Sequence, residues 1–564
     1  MPSYCKAVKL RYIRFCCLQQ SVDCIPFFRE SLMVTRRRSM AFILLTALLI
    51  SILGSARTFA QPTELQYGIS NNVDTLDPNV TTFSSVGTIM LHVFAPLVYQ
   101  QPLGTFHPGL ATEWTVNEDA TEYVFTLRQD ATFHDGTPVN AEAVKFTFDR
   151  IANPETASQL GVSLLGPYAE SEVLDEFTIA VRFRAPYAPF LNSVSTPYLA
   201  PSSPTAIQSL GADYGQVTVV GAGPFQIESY TPQSEVVLAR NEAFNWGSEA
   251  VFGMTGPANL SRITFRIIQE PATRLAALES GEVQFIDNVP QLDVARLRED
   301  PAFTVIQIEQ PGHGYSLMMN FEKPPTDELA VRQAIAMSID KQGLIDVVFN
   351  GFGTPGCSPL TKVMFGYDPA SCDYLPFDRV RAGQILDEAG WIDSDGDGVR
   401  DRDGVPLQIQ HWYRSDSPLN VAIATVLEAD LATVGIDLVL NGAAQAGYFD
   451  AVRSGQHNTQ GWWDTWTDPD GLRVLFDSSR ANGGTNRNRY RSEQMDALLN
   501  AASGTADPSA RAEFYAQIQR LAAEDAIMVY LNDPYLLYAS VSNLTGVTYL
   551  GGGNLPNFYA ASFN

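Results

Sequence analysis

The sequence predicts a mixed α/β protein with several lobes, and three observations support that fold class. The chain has 564 residues, of which 45% are hydrophobic and 18% charged, so it is long enough for two or three domains. Segments with the two-residue period of strands alternate with segments of helical period, as in a sheet covered by helices. One group of segments, 101–219, has a small set of strands of its own and is therefore interpreted as an insertion.

The first lobe is predicted from three separate segments, 61–100, 220–308 and 528–564. Its strands are expected at 65–70, 236–239, 263–268, 283–286 and 303–308. A helix should begin at Pro271, because proline suits the first turn, and end before Gly281.

The inserted subdomain is predicted to contain a sheet and one well-defined helix. Tyr123, Phe125 and Leu127 recur at every second position and should share one face of a strand. Asn140 is placed to cap the helix that follows.

The second lobe is predicted to span 309–527. Its strands are expected at 315–321, 407–412 and 436–440, and its helices are expected to begin at Thr326, Asp340, Asp378, Pro418 and Asp507. Met528 to Leu531 is a further strand, which is expected to return to the first lobe.

Residues 1–60 have the features of an export signal. The arginines at 36–38 precede an apolar run, 41–54, and the small residue Ala60 follows at the expected cleavage point. The run is too short to cross a bilayer comfortably, so a cleaved secretory signal is favoured over a membrane anchor or a buried helix. Because residues 1–32 do not resemble the start of a signal, Met33 is expected to be the true first residue.

The charge balance excludes some partners. Residues 1–60 hold nine of the 37 basic and two of the 62 acidic residues, so the remaining chain has a net charge of −32. A chain this acidic repels nucleic acids and anionic lipid surfaces, so neither is expected as a partner. The acidity itself is explained by solubility.

Two of the six cysteines lie beyond residue 60, at Cys357 and Cys372. In an oxidising compartment they are predicted to form a disulfide that stabilises the protein by about 3 kcal/mol, because the cross-link lowers the conformational entropy of the unfolded chain. The alternative is two buried free thiols.

One stretch, 461–470, concentrates aromatic rings and acids as no other part of the sequence does. It contains three of the seven tryptophans, with Asp464 and two further acids around Pro469. Amphipathic rings beside a few polar groups are typical of a small-molecule pocket, and the alternative is a core strand that ends in a solvated turn.

A second acidic segment, 393–401, resembles a calcium-binding loop. Oxygen ligands are expected from Asp393, Asp395, Asp397, the carbonyl of Val399, and Asp401. The acidic residue that usually closes such a loop is replaced by Gly404, so any calcium site should be structural and weak. A solvated acidic turn is the alternative.

No enzyme motif is recognised. The sequence has no Gly-x-Ser-x-Gly, no His-Glu-x-x-His and no phosphate-binding loop, and its six histidines are scattered. A pair of acids such as Asp464 and Asp468 would suffice for a glycosidase, so a secreted hydrolase is kept as a remote alternative.

Several ordered blocks carry a family resemblance. They are Phe125-Thr126-Leu127-Arg128, 131–139, Gly223-Pro224-Phe225, 280–283, 320–325, 331–335 and Asp468-Pro469-Asp470. Together they resemble the family 5 extracellular solute-binding proteins, the peptide and nickel receptors of ATP-binding-cassette (ABC) importers, over essentially all of 61–564.

The resemblance implies a periplasmic, two-lobed binding protein with an extra subdomain inserted in the first lobe. Ligand would bind in the cleft between lobes hinged near 309 and 527, and the closed form would dock on a permease in the inner membrane. No catalysis and no required cofactor are implied, and a monomer is expected.

The resemblance also points to ligand-binding residues. Similar peptide receptors have an aspartate four residues before the proline of the Asp-Pro pair, where this chain has Thr465 beside Asp464. Arg414 is the only base near the position where dipeptide receptors bind a carboxylate. Trp463, Trp466 and Tyr490 complete the expected cleft. A peptide is the favoured solute, and a sugar derivative or a chelated metal remains open.

Overall fold

The computed structural model describes residues 63–550 and 554–564. The predicted export signal, the extension before it and Met33 lie outside the described residues. Within the described part of the chain, no helix has both the length and the apolar character needed to cross a membrane.

The first lobe is built on a seven-stranded mixed sheet. In spatial order its strands are Phe303–Glu309, Tyr535–Val541, Phe285–Ile286, Glu64–Ile69, Arg262–Ile267, Glu235–Arg240 and Phe225–Thr231. Its central strands, Glu64–Ile69 and Arg262–Ile267, run parallel, and Leu65, Tyr67 and Phe265 are fully buried. These residues begin the main hydrophobic core, which continues into the inserted subdomain.

The inserted subdomain has its own four-stranded antiparallel sheet. The strands, in spatial order, are Ala111–Val116, Glu122–Leu127, Thr178–Phe183 and Tyr168–Asp175. Tyr123, Phe125 and Leu127 are buried on one face. The side chain of Asn140 accepts a hydrogen bond from Ala143 N at 3.0 Å and caps helix Ala141–Ala152, as the sequence predicted.

The second lobe is built on a six-stranded sheet. In spatial order its strands are Thr354–Pro355, Met528–Asp533, His313–Met319, Thr459–Asp464, Gln408–Arg414 and Asp437–Ala443. Thr459–Asp464 lies between an antiparallel neighbour, His313–Met319, and a parallel one, Gln408–Arg414. Asp464 and Arg414 therefore end their strands at the same edge of the sheet.

The helices cover these sheets. They are Ser84–Val93, Ala141–Ala152, Leu160–Leu165, Phe190–Ser193, Pro204–Leu210, Glu249–Phe252, Pro271–Glu279, Val294–Glu299, Leu329–Ser338, Lys341–Val348, Arg379–Glu388, Pro418–Ala432, Gln445–Arg453, Arg473–Phe476, Glu493–Ser503 and Pro508–Glu524.

The sequence prediction for strand Met528–Asp533 was wrong. It was placed in the first lobe, but it pairs with His313–Met319 in the second sheet. All six residues of the strand are buried, so no alternation of polar and apolar residues marks the sheet to which it belongs. The chain therefore returns to the first lobe near Pro534 and not near 527.

The cap predicted at Thr326 was also wrong. The helix begins at Leu329, and the Thr326 hydroxyl donates instead to the carbonyls of Asn320 and Lys323, each at 2.8 Å. Asp340, Asp378 and Asp507 cap their helices as predicted. The helices Gln445–Arg453 and Glu493–Ser503 were not predicted.

Candidate functional site

A cavity of about 990 Å³ lies where the first lobe, the inserted subdomain and the second lobe meet. The first lobe contributes Leu91, Phe94, Tyr99, Gln100, Leu550 and Leu555, among others. The subdomain contributes Ser163, Tyr187, Asn192, Ser193 and neighbouring prolines. The second lobe contributes Asp464, Thr465, Trp466, Thr467, Asp468, Asp470, Arg473, Arg480 and Asn500, among others.

The second-lobe wall begins where strand Thr459–Asp464 ends. Successive side chains of a strand point to opposite faces, so Trp462 and Asp464 share one face and Trp463 lies on the other. Beyond the strand, Asp468 accepts a hydrogen bond from Asp470 N at 2.9 Å and turns the chain at Pro469. The stretch 464–470 is thereby held against the cavity.

Gly312 lies in the segment that enters the second lobe, and its lack of a side chain lets the backbone there approach the backbone of residues 464–466 closely. It has a φ of +111°, and a Cβ there would lie 2.4 Å from Trp466 N and 2.7 Å from the Asp464 carbonyl oxygen. Both are closer than atoms can pack, so any side chain at 312 would push the stretch away.

Asp464 is the acid of this wall that has no cationic partner among the described residues. Its Oδ1 accepts a hydrogen bond from Thr465 N at 2.9 Å, and no basic side chain forms an ion pair with it in the described chain. Burial raises the pKa of Asp464, because removal from water disfavours the charged form. A cationic group of a ligand could form an ion pair with the Asp464 carboxylate and so replace its lost interactions with water.

Asp468 and Asp470 differ from Asp464 because each has an arginine. Arg511 binds both oxygens of Asp468, at 2.5 and 2.9 Å, in a pair whose side chains are only 8% and 13% exposed. Arg473 Nε lies 3.0 Å from Asp470 Oδ1. These two ion pairs balance their own charge and fix the shape of the wall.

Trp466 provides the main aromatic surface of this wall. Its ring stacks on His313, with centroids 5.7 Å apart, and Gly471 packs against it so closely that a Cβ would overlap the ring. Burial lowers the pKa of His313 to about 4, so a neutral imidazole supports the ring at neutral pH.

Contacts between the subdomain and the second lobe close one side of the cavity. The Asn192 amide donates to the Thr467 hydroxyl, and Ala188 N donates to the Ser503 carbonyl at 2.8 Å.

Three of the six predicted ligand-binding residues, Asp464, Thr465 and Trp466, line the cavity. Trp463 does not, since it is 52% exposed on the opposite face of its strand, against Tyr315.

Two predicted residues need correction. Tyr490 is a core residue, 4% exposed, whose hydroxyl donates to Asp525 at 2.6 Å, so it is not part of the cavity wall. Arg414 reaches the right edge of the sheet but forms an ion pair with Asp416 and does not line the cavity.

The sequence prediction missed Arg473 and Arg480. Arg473 follows Asp470 by three residues, a spacing that brings side chains together in a helical turn, so its pairing had a signal. No sequence signal pointed to Arg480, because its place in the cavity wall depends on how residues 473–480 fold.

The acidic loop places three of its predicted ligands together. Carboxylate oxygens of Asp393, Asp395 and Asp397 all lie within 4.8 Å of one another, and all three residues are exposed. Asp401 accepts hydrogen bonds from Ser394 instead, at 2.6 and 3.0 Å, and Val399 N donates to Asp397 at 2.8 Å. A structural calcium ion stays a prediction.

Cys357 and Cys372 form a disulfide, with Cα atoms 4.8 Å apart. It closes the loop beside strand Met528–Asp533.

Two lobes, an inserted subdomain and a cavity between them are the architecture of a ligand-binding protein. Residues 105–484 match the bacterial extracellular solute-binding proteins, family 5, through the middle region of that family. The chain belongs to this family, the group of solute-binding proteins that serve ABC transporters, and the predicted family and fold class are confirmed.

Curated relatives and a solved structure support the same family and fold. The chain is 27% identical over 513 residues to a probable D,D-dipeptide-binding periplasmic protein of Escherichia coli, covering 88% of this chain and 93% of that one. It is 26% identical over 508 residues to the E. coli nickel-binding periplasmic protein, covering 87% and 93%. HbpA2 of Haemophilus parasuis has the same fold, with a TM-score of 0.78 and 24% identity over 89% of this chain and 100% of that one.

Proposed function

We propose that the protein is a periplasmic receptor that captures a short peptide between its lobes and delivers it to an ABC permease. The observation that carries this proposal is Asp464, a half-buried carboxylate that faces the cavity without a cationic partner in the described chain. It is suited to the ammonium group at the start of a peptide.

The acids of the second-lobe wall support a ligand that carries a positively charged group. Asp468 and Asp470 are already matched by Arg511 and Arg473, so Asp464 supplies the unmatched negative charge. A neutral sugar has no positive charge that could form an ion pair with it.

The size and chemistry of the cavity also suit a peptide. Its volume of about 990 Å³ lies at the upper end of the usual range for small-ligand pockets. Hydroxyl and amide groups such as those of Tyr187 and Asn192 can bind peptide backbone groups, and Trp466 and Phe94 can cover side chains. Relatives named for binding a D,D-dipeptide, a dipeptide and glutathione support the same class of solute.

The cavity supports binding better than catalysis. Among the described residues that line it there is no histidine, lysine or cysteine. Asp468, which a glycosidase would need, is held in an ion pair. The relatives named above are binding proteins, and we infer that this chain acts without turnover, as a monomer.

Native mass spectrometry of the mature protein purified from periplasm tests this function. We expect a bound peptide of two to several residues that is released on unfolding. A sugar derivative or a metal chelate in its place would contradict the peptide proposal and leave the receptor class intact. Product formed from added peptides or glycosides would contradict the receptor itself.

A further inference from the structure

A second cavity, of about 470 Å³, lies entirely within the second lobe. It shares no lining residue with the cavity between the lobes. Its wall includes the start of helix Lys341–Val348, the segments 355–357 and 371–377, and the strand residues 528–530. Its volume lies within the usual range for small-ligand pockets. A ligand in this cavity would contact one lobe only.

The cavity lies at an open edge of the second-lobe sheet. Thr354–Pro355 pairs only with the last two residues of strand Met528–Asp533, so no described strand covers that edge at 528–530. The disulfide between Cys357 and Cys372 joins the two segments that form the outer wall. Because the cross-link limits how far these segments can separate, the outer wall is in place before a ligand binds.

Lys341 is the one cation among the described residues that line this cavity. Its Nζ donates to the Gly356 carbonyl at 2.8 Å, and no carboxylate in the described chain forms an ion pair with it. Lys362, by contrast, binds Glu309 at 2.6 Å. An ammonium group has three hydrogens to donate, so two of those on Lys341 remain available to a ligand.

The charge of Lys341 is affected by burial. Burial lowers the pKa of Lys341 to about 8, because removal from water disfavours the charged form, and Asp533 acts in the opposite direction. The amine is therefore still mostly protonated at neutral pH. An anion beside it would form an ion pair and favour the charged form.

Asp340 is the only acid among the described lining residues, and its carboxylate already has a partner. Its Oδ1 accepts a hydrogen bond from Gly343 N at 2.9 Å and caps helix Lys341–Val348. A carboxylate at this position is also stabilised by the positive end of the helix dipole. The charge that the cavity offers to a ligand is therefore that of Lys341.

Aromatic side chains lie where the cavity opens to solvent. Among the described residues, four aromatic side chains are strongly exposed, at Phe83, Tyr374, Phe377 and Trp463. Two of these four, Tyr374 and Phe377, line this cavity, with exposed fractions of 39% and 51%. Exposed apolar surface that is concentrated at a cavity is typical of a ligand-binding site. With Leu375 between them, these rings suit an apolar or aromatic group.

We propose that this cavity is a second ligand site, which binds a small organic acid with an apolar or aromatic body. The carboxylate of the acid binds the Lys341 ammonium, and its body packs against Tyr374, Phe377 and Met528. The site works independently of the cavity between the lobes, because the two share no residue. A neutral amide of the same acid binds more weakly, because it has no negative charge.

Equilibrium dialysis of the mature protein against 4-phenylbutyrate and its neutral amide, 4-phenylbutyramide, tests the site. At pH 7 we expect the acid to bind about 10- to 100-fold more tightly than the amide, the value of a charge-assisted hydrogen bond. An excess of an equimolar tripeptide library should not displace the acid, since peptides are proposed to bind between the lobes.

Two variants and a control locate the acid. Lys341→Met should lower the affinity for the acid to that for the amide, because it removes the charge and keeps an apolar side chain. Phe377→Ser, at an exposed position, should weaken binding of both compounds by about 3- to 10-fold through loss of an aromatic contact. Lys145→Met removes a lysine that pairs with Asp149 in the inserted subdomain, and it should change neither affinity.

Three results would overturn the proposal. Absence of acid binding, or equal affinity for acid and amide in the wild type, would exclude an anion site at Lys341. A preference for the acid that persists in Lys341→Met would place the carboxylate elsewhere. Displacement of the acid by the tripeptides would place it in the cavity between the lobes. The proposed peptide receptor is tested separately, because its ligand binds in that other cavity.

Discussion

The two walls of the cavity differ in charge. The lining residues of the first lobe and the inserted subdomain are all uncharged, and include Leu91, Tyr99, Tyr187 and Asn192. Every charged lining residue, from Asp464 to Arg480, comes from the second lobe. Because charged groups discriminate between ligands more strongly than neutral hydrogen bonds do, we infer that the second lobe selects the ligand and the first lobe encloses it.

The largest effect is expected from breaking the ion pair that supports the charged wall. Arg511→Met leaves Asp468 buried without a partner, which should destabilise the protein by about 3–5 kcal/mol in urea unfolding. Arg520→Met on the same helix is the control, because its pair with Asp368 is more exposed and should contribute at most about 1 kcal/mol. Equal losses in the two variants would mean that the buried pair does not support the wall.

The second-largest effect is expected from Trp466, the aromatic residue of the charged wall. Trp466→Ala should weaken peptide binding by about 2 kcal/mol, or about 30-fold, as the loss of a buried anchor does. Trp463→Ala, on the face of the strand away from the cavity, should change affinity by less than about 0.5 kcal/mol. Calorimetric titration measures both. A larger loss in Trp463→Ala would show that the ligand lies along the other face.

The pH dependence of binding should come from the second-lobe wall. Asp464 binds an ammonium group only when ionised, and its pKa is raised. Affinity should therefore be complete above that raised pKa and fall by up to about tenfold for each pH unit below it. Asp464→Asn should remove this dependence. A pH profile that survives in the variant would assign the titration to another group.

Smaller effects are expected from the uncharged wall. Asn192→Ala removes the hydrogen bond to Thr467 and should weaken binding by about 1 kcal/mol or less. The loss should be the same for free and N-acetylated peptides, since Asn192 has no charge. A loss confined to free peptides, measured by the same titration, would contradict the division of roles between the walls.

The smallest effect concerns the acidic loop. Calcium titrated into the chelated protein should bind at Asp393, Asp395 and Asp397 with a millimolar dissociation constant, because few ligands are present. Peptide affinity should not change, since none of the three lines the cavity. If millimolar calcium gives no heat of binding, the loop is not a calcium site.

Much of the fold could be predicted from the sequence, because its signals are local. Helix caps at Asn140, Asp340 and Asp507 depend on a side chain and a backbone N–H three residues away. Strand Met528–Asp533 was assigned to the wrong lobe because partner choice depends on distant segments. A strand buried on both faces has no pattern that reveals its neighbour.

The candidate site could be predicted in part. The concentration of rings and acids identified Asp464 and Trp466, since both belong to one stretch of sequence. The uncharged wall, with Tyr99 and Asn192, gave no signal, because its residues are far apart in sequence.

The proposed receptor depends above all on the recognition of the ligand's amino group by Asp464. Its most direct test compares free and N-acetylated peptides with the wild type, Asp464→Asn and the exposed control Asp395→Asn by calorimetry. We expect acetylation to weaken wild-type and Asp395→Asn binding by about 10- to 100-fold and to leave Asp464→Asn binding unchanged. An equal penalty for acetylation in Asp464→Asn would show that Asp464 does not bind the amino group.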